Sequence, residues 1–187
     1  MNWQAMLDLK SLKDFFPFAG QLVELDIFSE KNITDAYVGW LNNPDVVKFS
    51  NQRFRRHTRQ TSLDYLQSFT GSGNLFLAIY LKSNGKYIGT MSVYFSAVHE
   101  TADIGIIIGD MTCWGAGVGG DAWVTVLSFL LDTVKIRKVT GGALGCNHGM
   151  VKIMINAGMQ PDGVRVAQEL VDYQTQDIVH FAKFRDT

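Results

Sequence analysis

The sequence predicts one mixed α/β domain, and three observations carry that expectation. Runs with the two-residue alternation of a half-buried strand interleave with segments whose apolar residues recur at helical spacing. Asn84-Gly85 joins two apolar, β-rich runs, and this dipeptide suits the positive-φ positions of a tight hairpin turn. Of 187 residues, 47% are apolar and only 19% charged, with no repeat, low-complexity stretch or linker, so the apolar material has one core to enter.

Residues 1–18 carry Trp3, Met6, Leu7, Leu12, Phe15 and Phe16 and read as a short amphipathic helix. The expected organisation is an N-terminal helical extension over residues 1–19 and one domain over residues 20–187. The aromatic face of the extension would pack on the core or form a homodimer contact. Gln21 to Phe28 alternates as a strand does, and Asn32-Ile33-Thr34-Asp35 then resembles a cap opening a helix. That helix should stop near Asn42, because Pro44 disfavours helical geometry at Asn43 and has no N–H to donate. After a basic loop (Arg53, Arg55, Arg56, His57, Arg59), Thr58 and Thr61 cap a second helix reaching Phe69 and stopped by Gly71-Ser72-Gly73. Leu75 to Leu81, Tyr87 to Phe95 and Ala102 to Ile108 read as strands, and Asp121 to Val134 as a helix apolar on nearly every face, hence buried. Lys138 to Leu144 reads as a strand and His148 to Asn156 as a short helix ending at Gly158; Val164 to Val171 pairs with Ile178 to Phe184.

Seventeen lysines and arginines against eighteen aspartates and glutamates leave a formal charge of −1, so no broad basic field favours nucleic acid. The strongly apolar stretch Ala122 to Leu131 is broken by Thr125 and Ser128 and falls short of the roughly 18 residues of a membrane span. Cys113 and Cys146 show no CxxC spacing and no secretory signal opens the chain, so a cytoplasmic location is expected. His57, His99, His148 and His180 lack the spacing of metal ligands, and no metal site is expected.

Chemistry concentrates in Cys113 to Asp121, CWGAGVGGD, between a strand and the apolar helix. Glycines there let backbone N–H groups converge, and the helix N-terminus adds partial positive charge, which together suit a phosphate. Gly115 to Gly120 also spells GxGxxG, but no acidic residue for a ribose follows about 20 positions on, and the preceding strands join by a hairpin rather than a helical crossover. The dinucleotide-binding alternative, a nucleotide-dependent oxidoreductase, therefore lacks its context.

Trp114-Gly115-Ala116-Gly117-Val118-Gly119 instead resembles the Q/R-x-x-G-x-G/A element of the GNAT superfamily of N-acetyltransferases, with the tryptophan common in its RimJ/RimL branch. Ala102 to Asp110 looks like that branch's fourth strand, and Tyr37 to Val46, YVGWLNNPDV, resembles its first-helix signature. Asn147 to Met159 is similar to its N-x-x-S…K-x-G-F element, so the resemblance runs from Gln21 to Phe184. Met150 replaces the usual serine there, Asn156 the lysine and Met159 the phenylalanine; Gly120 replaces a commoner threonine. No tyrosine between His148 and Met159 stands ready to protonate a departing thiolate, leaving that role to another group or to water.

The resemblance implies a central twisted, mostly antiparallel sheet flanked by helices. It also implies acetyl-CoA as co-substrate and direct transfer in a ternary complex to a primary amine: an amino sugar, a protein N-terminus or another small amine. Trp114, Gly115, Ala116, Gly117, Val118, Gly119 and Gly120 would hold the pyrophosphate. Ile107, Ile108 and Gly109 would splay from the next strand and pair with pantetheine, a backbone N–H polarising the thioester carbonyl. Asn147 would hold the cofactor arm or cap the next helix.

An amine acceptor must lose a proton before attack, since one like lysine's has a pKa near 10.4. Asp103 is the expected base, with Glu100 and His99 in reserve, each of which could equally be a solvent-facing residue at a strand start. Four arginines fall between Arg53 and Arg59; Arg53 and Arg55 are expected to clamp an acidic acceptor such as a nucleotide-linked amino sugar, unless the loop is only a solvated face. Neither cysteine has a neighbouring histidine to make it a nucleophile. A non-catalytic acyl-CoA-binding or interaction module is the alternative from another class, suggested by the absent serine and tyrosine.

Overall fold

Eight strands meet edge to edge in the computed structural model, which describes Leu12 and residues 14–186. They are β1 (Phe18–Ala19), β2 (Val23–Ile27), β3 (Leu75–Leu81), β4 (Tyr87–Ser96), β5 (Thr101–Ile108), β6 (Lys138–Leu144), β7 (Gln160–Val171) and β8 (Gln174–Phe184). One sheet results, in the order β1-β2-β3-β4-β5-β6-β8-β7. Every neighbouring pair is antiparallel except β5 and β6, whose parallel pairing requires the crossover that the chain makes between Ile108 and Lys138.

Both faces of the sheet centre are covered, so β3 is buried at consecutive positions Leu75 to Ile79 instead of alternating. Helices α1 (Asp35–Asn42), α2 (Pro44–Val47) and α3 (Arg59–Gln67) belong to one face, where Tyr37, Leu41 and Phe69 join Phe28, Phe76 and Ala78. Helices α4 (Val118–Ser128) and α5 (His148–Asn156) belong to the other, where Ala122, Trp123, Val126 and Met154 meet Leu77, Met91 and Ile104. Trp123 is 1% exposed and its indole N–H reaches the Met159 sulfur at 3.2 Å. Truncating so large a core side chain typically costs about 3–5 kcal/mol.

The structure shifts several expected boundaries. Thr34, not Asn32, caps α1, its hydroxyl accepting the Tyr37 N–H at 3.2 Å; Asn32 closes a 3-10 turn and donates to the Tyr80 hydroxyl. Pro44 ends α1 as expected but opens the one-turn α2, because its fixed φ suits a first helical position. The β3–β4 turn is four residues long rather than two: Leu81 N–H donates to Lys86 O and Gly85 N–H to Leu81 O, and only Gly85 takes positive φ (+66°). Helix α4 begins at Val118, three residues early, and ends in a π turn over Phe129–Thr133. Most of the expected N-terminal helix lies outside the described residues. At its end the chain is extended: Phe18 pairs with Leu25 of β2 and stacks on Phe129 at 4.5 Å.

Candidate functional site

The parallel pairing of β5 with β6 stops at Asp103 and Thr140, and beyond it the strands part. Pairing with β4 continues without interruption to Ile108. Because the Gly109 N–H points back to the Ile88 carbonyl of β4 at 2.9 Å, and alternate residues of a strand turn their backbone groups to opposite edges, those of Ile106 and Ile108 point into the gap. The Ile108 carbonyl is taken by the Trp114 indole N–H at 2.9 Å. The Ile106 backbone and the Ile108 N–H remain for an extended ligand. Of the expected trio, Ile108 therefore presents its backbone to the gap, whereas Ile107 and Gly109 turn theirs to β4; Ile106 takes their place. Gly109 is glycine for another reason, since a side chain there would overlap the Trp40 indole of α1.

At the open end of the gap the chain makes a turn over Met111–Cys113, closed by Asp110, which accepts the Thr112 N–H and hydroxyl at 3.0 and 2.6 Å. Lys86 sits 2.5 Å from Asp110. Its hydrogen bond, and then those from Thr112, hold Asp110 below the usual carboxylate range. Trp114, Gly115, Ala116 and Gly117 follow, all exposed, and Gly117 caps α4 in the left-handed region at φ +82°. No side chain fills that cap, so the first α4 N–H groups, at Val118, Gly119 and Gly120, face outward with the partial positive charge of the helix. Asp121 would spoil an anion site there, but its carboxylate turns to the strand side and accepts the N–H groups of Gln21, Leu22 and Val23 at 3.0, 2.7 and 3.0 Å.

A cavity of about 480 Å³ joins the gap to the α1–α3 face. Its walls include Ile104 to Ile107 of β5, Gly142 and Ala143 of β6, Asn147 and Met150 of α5, and Tyr65, Ser92, Tyr94, Arg55, Arg56 and His57. Tyr65 and Tyr94 share a hydrogen bond of 2.9 Å. Burial, and then that bond, raise the Tyr65 phenol above an ordinary tyrosine. Asn147 caps α5, its side-chain oxygen accepting the Met150 N–H at 3.2 Å, which leaves its amide N–H groups at the cavity wall.

The basic loop divides by partner. Arg53, expected to clamp an acceptor, points elsewhere: its guanidinium donates to Glu169 at 3.3 Å and to the Leu170 carbonyl at 3.1 Å, pinning the loop to β7. Arg59 likewise donates to the Ile33 carbonyl and to Glu30. Arg55 lines the cavity, joined by Arg56 and His57.

Asp103 stands on the cavity's face of β5 opposite Tyr94, two pairs beyond Gly105 and Ser92, and accepts the Thr140 hydroxyl at 2.7 Å. It reaches solvent, yet surrounding protein raises its carboxyl above the usual range, against the opposing pull of the Thr140 bond and of His180. The His180 ring lies against Gly142, with its Nε2 buried and unpartnered. Glu100 and His99 precede the strand at its closed end; Glu100 is four residues, roughly 13 Å at strand rise, from Ile104, the first β5 residue to line the cavity.

Residues 24–160 match the profile of the acetyltransferase (GNAT) domain. The chain belongs to the GNAT acetyltransferase family. The GNAT fold extends to solved structures. An acetyltransferase from Bacillus anthracis superposes with TM-score 0.76 at 15% identity, covering 90% of this chain and 98% of that one. RimL, a ribosomal alpha-N-protein acetyltransferase in complex with coenzyme A, gives 0.76 at 13%, covering 89% and 96%. A spermidine N-acetyltransferase chimera from Vibrio cholerae gives 0.76 at 12%, covering 88% and 96%. No curated protein matches significantly by sequence.

Within this GNAT domain, reasoning from sequence missed Ile106, Arg56, His57, Tyr65 and Tyr94. For Ile106 the alternation along β5 says only that one parity faces β4; which parity does so is set by the bond from Gly109 to Ile88. For the tyrosines no signal existed, since Tyr65 and Tyr94 meet only when α3 folds over β4. Among the described residues no helix is long and apolar enough to cross a membrane.

Proposed function

We propose that this acetyltransferase is an acetyl-CoA-dependent N-acetyltransferase of the RimJ/RimL type, acting on a primary amine by direct transfer in a ternary complex. The observation that carries this reading is the parting of β5 from β6, which leaves the Ile106 and Ile108 N–H groups on an open strand edge in line with the α4 N-terminus. The residues present fit the co-substrate. Backbone N–H groups from Gly115 to Gly120 and the α4 dipole accommodate a pyrophosphate without a side chain in the way. The free strand edge accommodates an extended amide-bearing arm, and the Asn147 amide adds a donor beside it. Acetyl-CoA supplies the activated acetyl group. One of the Ile106 and Ile108 N–H groups, which lie roughly 6.6 Å apart at strand rise, would polarise the thioester carbonyl as a fixed donor that needs no reorganisation while charge develops on its oxygen, and the other would hold the arm.

Asp103 acts as base for the acceptor ammonium. Its raised pKa makes the carboxylate a stronger proton acceptor, and the Thr140 hydroxyl fixes one of its oxygens, leaving the other for the proton.

A thermal-shift series with acetyl-CoA, CoA and NADH, followed by thiol release in the presence of amines, tests the reading. Stabilisation by the two CoA species and amine-dependent thiol release are expected. Stabilisation by NADH alone would overturn it.

A further inference from the structure

We infer that the acceptor is a small amine carrying its own anionic group, a carboxylate or a phosphate, which Arg55 and Arg56 hold while the amine lies at the gap. The inference rests on the acetyltransferase reading and adds the class of acceptor.

The cavity wall contains two guanidinium groups and an imidazole, and no aspartate or glutamate. Among the described residues no carboxylate lies within 4 Å of either guanidinium, whereas the loop's other two arginines are each paired, Arg53 with Glu169 and Arg59 with Glu30. The loop thus separates arginines that hold the fold from Arg55 and Arg56, which border the cavity with no carboxylate partner among the described residues. Two like charges held together in a half-enclosed cleft raise the local positive potential, which a ligand anion relieves and a ligand cation worsens. Guanidinium groups also match carboxylate and phosphate with paired donors, a geometry that a neutral acceptor leaves unused.

The same wall works against polyamines and other polycations. Such a ligand needs carboxylates for each ammonium that stays protonated, and the cavity has none. Asp103, outside the cavity walls, is the one nearby acid on this face that the function uses, and it serves the reacting amine only. Tyr65, Tyr94 and Ser92 line the same cavity and supply neutral hydroxyl donors and acceptors, suited to a polar acceptor body rather than an aliphatic one.

The test is calorimetric binding to the CoA-saturated protein, with glucosamine 6-phosphate against glucosamine for phosphate, 4-aminobutyrate against butylamine for carboxylate, and spermidine as polycation. At least one anionic member should bind about tenfold or more tighter than its neutral partner, with spermidine the weakest; the pair that shows the preference names the anion. In the Arg55→Gln/Arg56→Gln variant the preference should vanish while the acetyl-CoA thermal shift persists. Arg59→Gln, at the start of α3 and paired with Glu30 rather than lining the cavity, should keep the preference. Equal affinity within both pairs, no measurable binding of either anionic member, spermidine binding as well as they do, or a preference surviving the double substitution would each overturn the inference. So would loss of the acetyl-CoA shift in the double variant, which would assign the arginines to the co-substrate. Failure of acetyl-CoA to stabilise the unaltered protein is a separate result and removes the acetyltransferase reading itself.

Discussion

Gly117→Ala probes the α4 cap with little else disturbed. The nearest atom to the new methyl group is Leu22 Cδ1 at 3.7 Å, an ordinary contact, so the cost is backbone strain at φ +82°. An L-residue in the left-handed region costs about 1–2 kcal/mol. For a domain of this size each kcal/mol moves Tm by roughly 2–4 °C, so the unliganded variant should melt about 2–8 °C lower. The second effect is on binding, because relaxing that strain re-aims the N–H groups that open α4. At acetyl-CoA a hundredfold above Kd the unaltered protein should gain about 2.7 kcal/mol, and a tenfold loss of affinity reduces this gain to about 1.4 kcal/mol. The acetyl-CoA-induced shift should therefore fall to about half. Gly39→Ala, inside α1 and away from the cap, is the control: nothing lies within 4 Å of its methyl group, and alanine in place of helical glycine should stabilise by about 0.5–1 kcal/mol and leave the acetyl-CoA shift unchanged. Differential scanning fluorimetry at fixed ligand reads both variants. An unchanged acetyl-CoA shift in Gly117→Ala, despite a lowered Tm, would refute the assignment of this cap to the pyrophosphate.

Asp103→Asn should remove the acidic limb of the pH dependence of kcat/KM, and an identical profile would take Asp103 out of the proton path. Its raised pKa has a stability consequence with a definite sign: the folded state holds the proton more tightly than the unfolded chain. This contribution is present below the unfolded pKa and lost as pH rises through the folded value. Urea midpoints should therefore favour Asp103→Asn over the unaltered protein at pH 7.5, and the difference should close near pH 3. Asp121→Ala removes the carboxylate to which three N–H groups at the entry to β2 donate and should cost about 1–3 kcal/mol, with faster amide exchange at Gln21, Leu22 and Val23. Equal Tm and equal exchange there would show that solvent replaces the carboxylate without loss.

The fold was legible where local chemistry decides it. Thr58 and Thr61 close a reciprocal cap at α3, Gly158 ends α5 at φ +73°, and apolar runs place β3 to β6 almost to the residue. The glycine cluster likewise declared a helix N-terminus with open amides. What remained hidden depends on partners distant in the chain. Arg53 and Arg55 are alike in sequence, and only Glu169, 116 positions from Arg53, separates the structural arginine from the one at the cavity. The parting of β5 from β6 is a matter of where pairing between two strands stops, which neither strand's periodicity records. Ile106 rather than Ile107 faces the gap because Gly109 is bonded to Ile88, a fact of register. The carboxylate of Asp121, in the first turn of α4, is turned aside by three bonds to the β2 entry, about 100 positions away in the chain.

In the proposed function, the open edge of β5 and the first turn of α4 bind one co-substrate together. Amide hydrogen exchange on the full chain, resolved to single residues with and without acetyl-CoA, tests it most directly. Added protection is expected at the Ile106 and Ile108 amides and at Val118, Gly119 and Gly120, while Gly109, already bonded to β4, is unchanged. Protection confined to the α4 turn, or equal protection at Ile106 and Gly109, would contradict it.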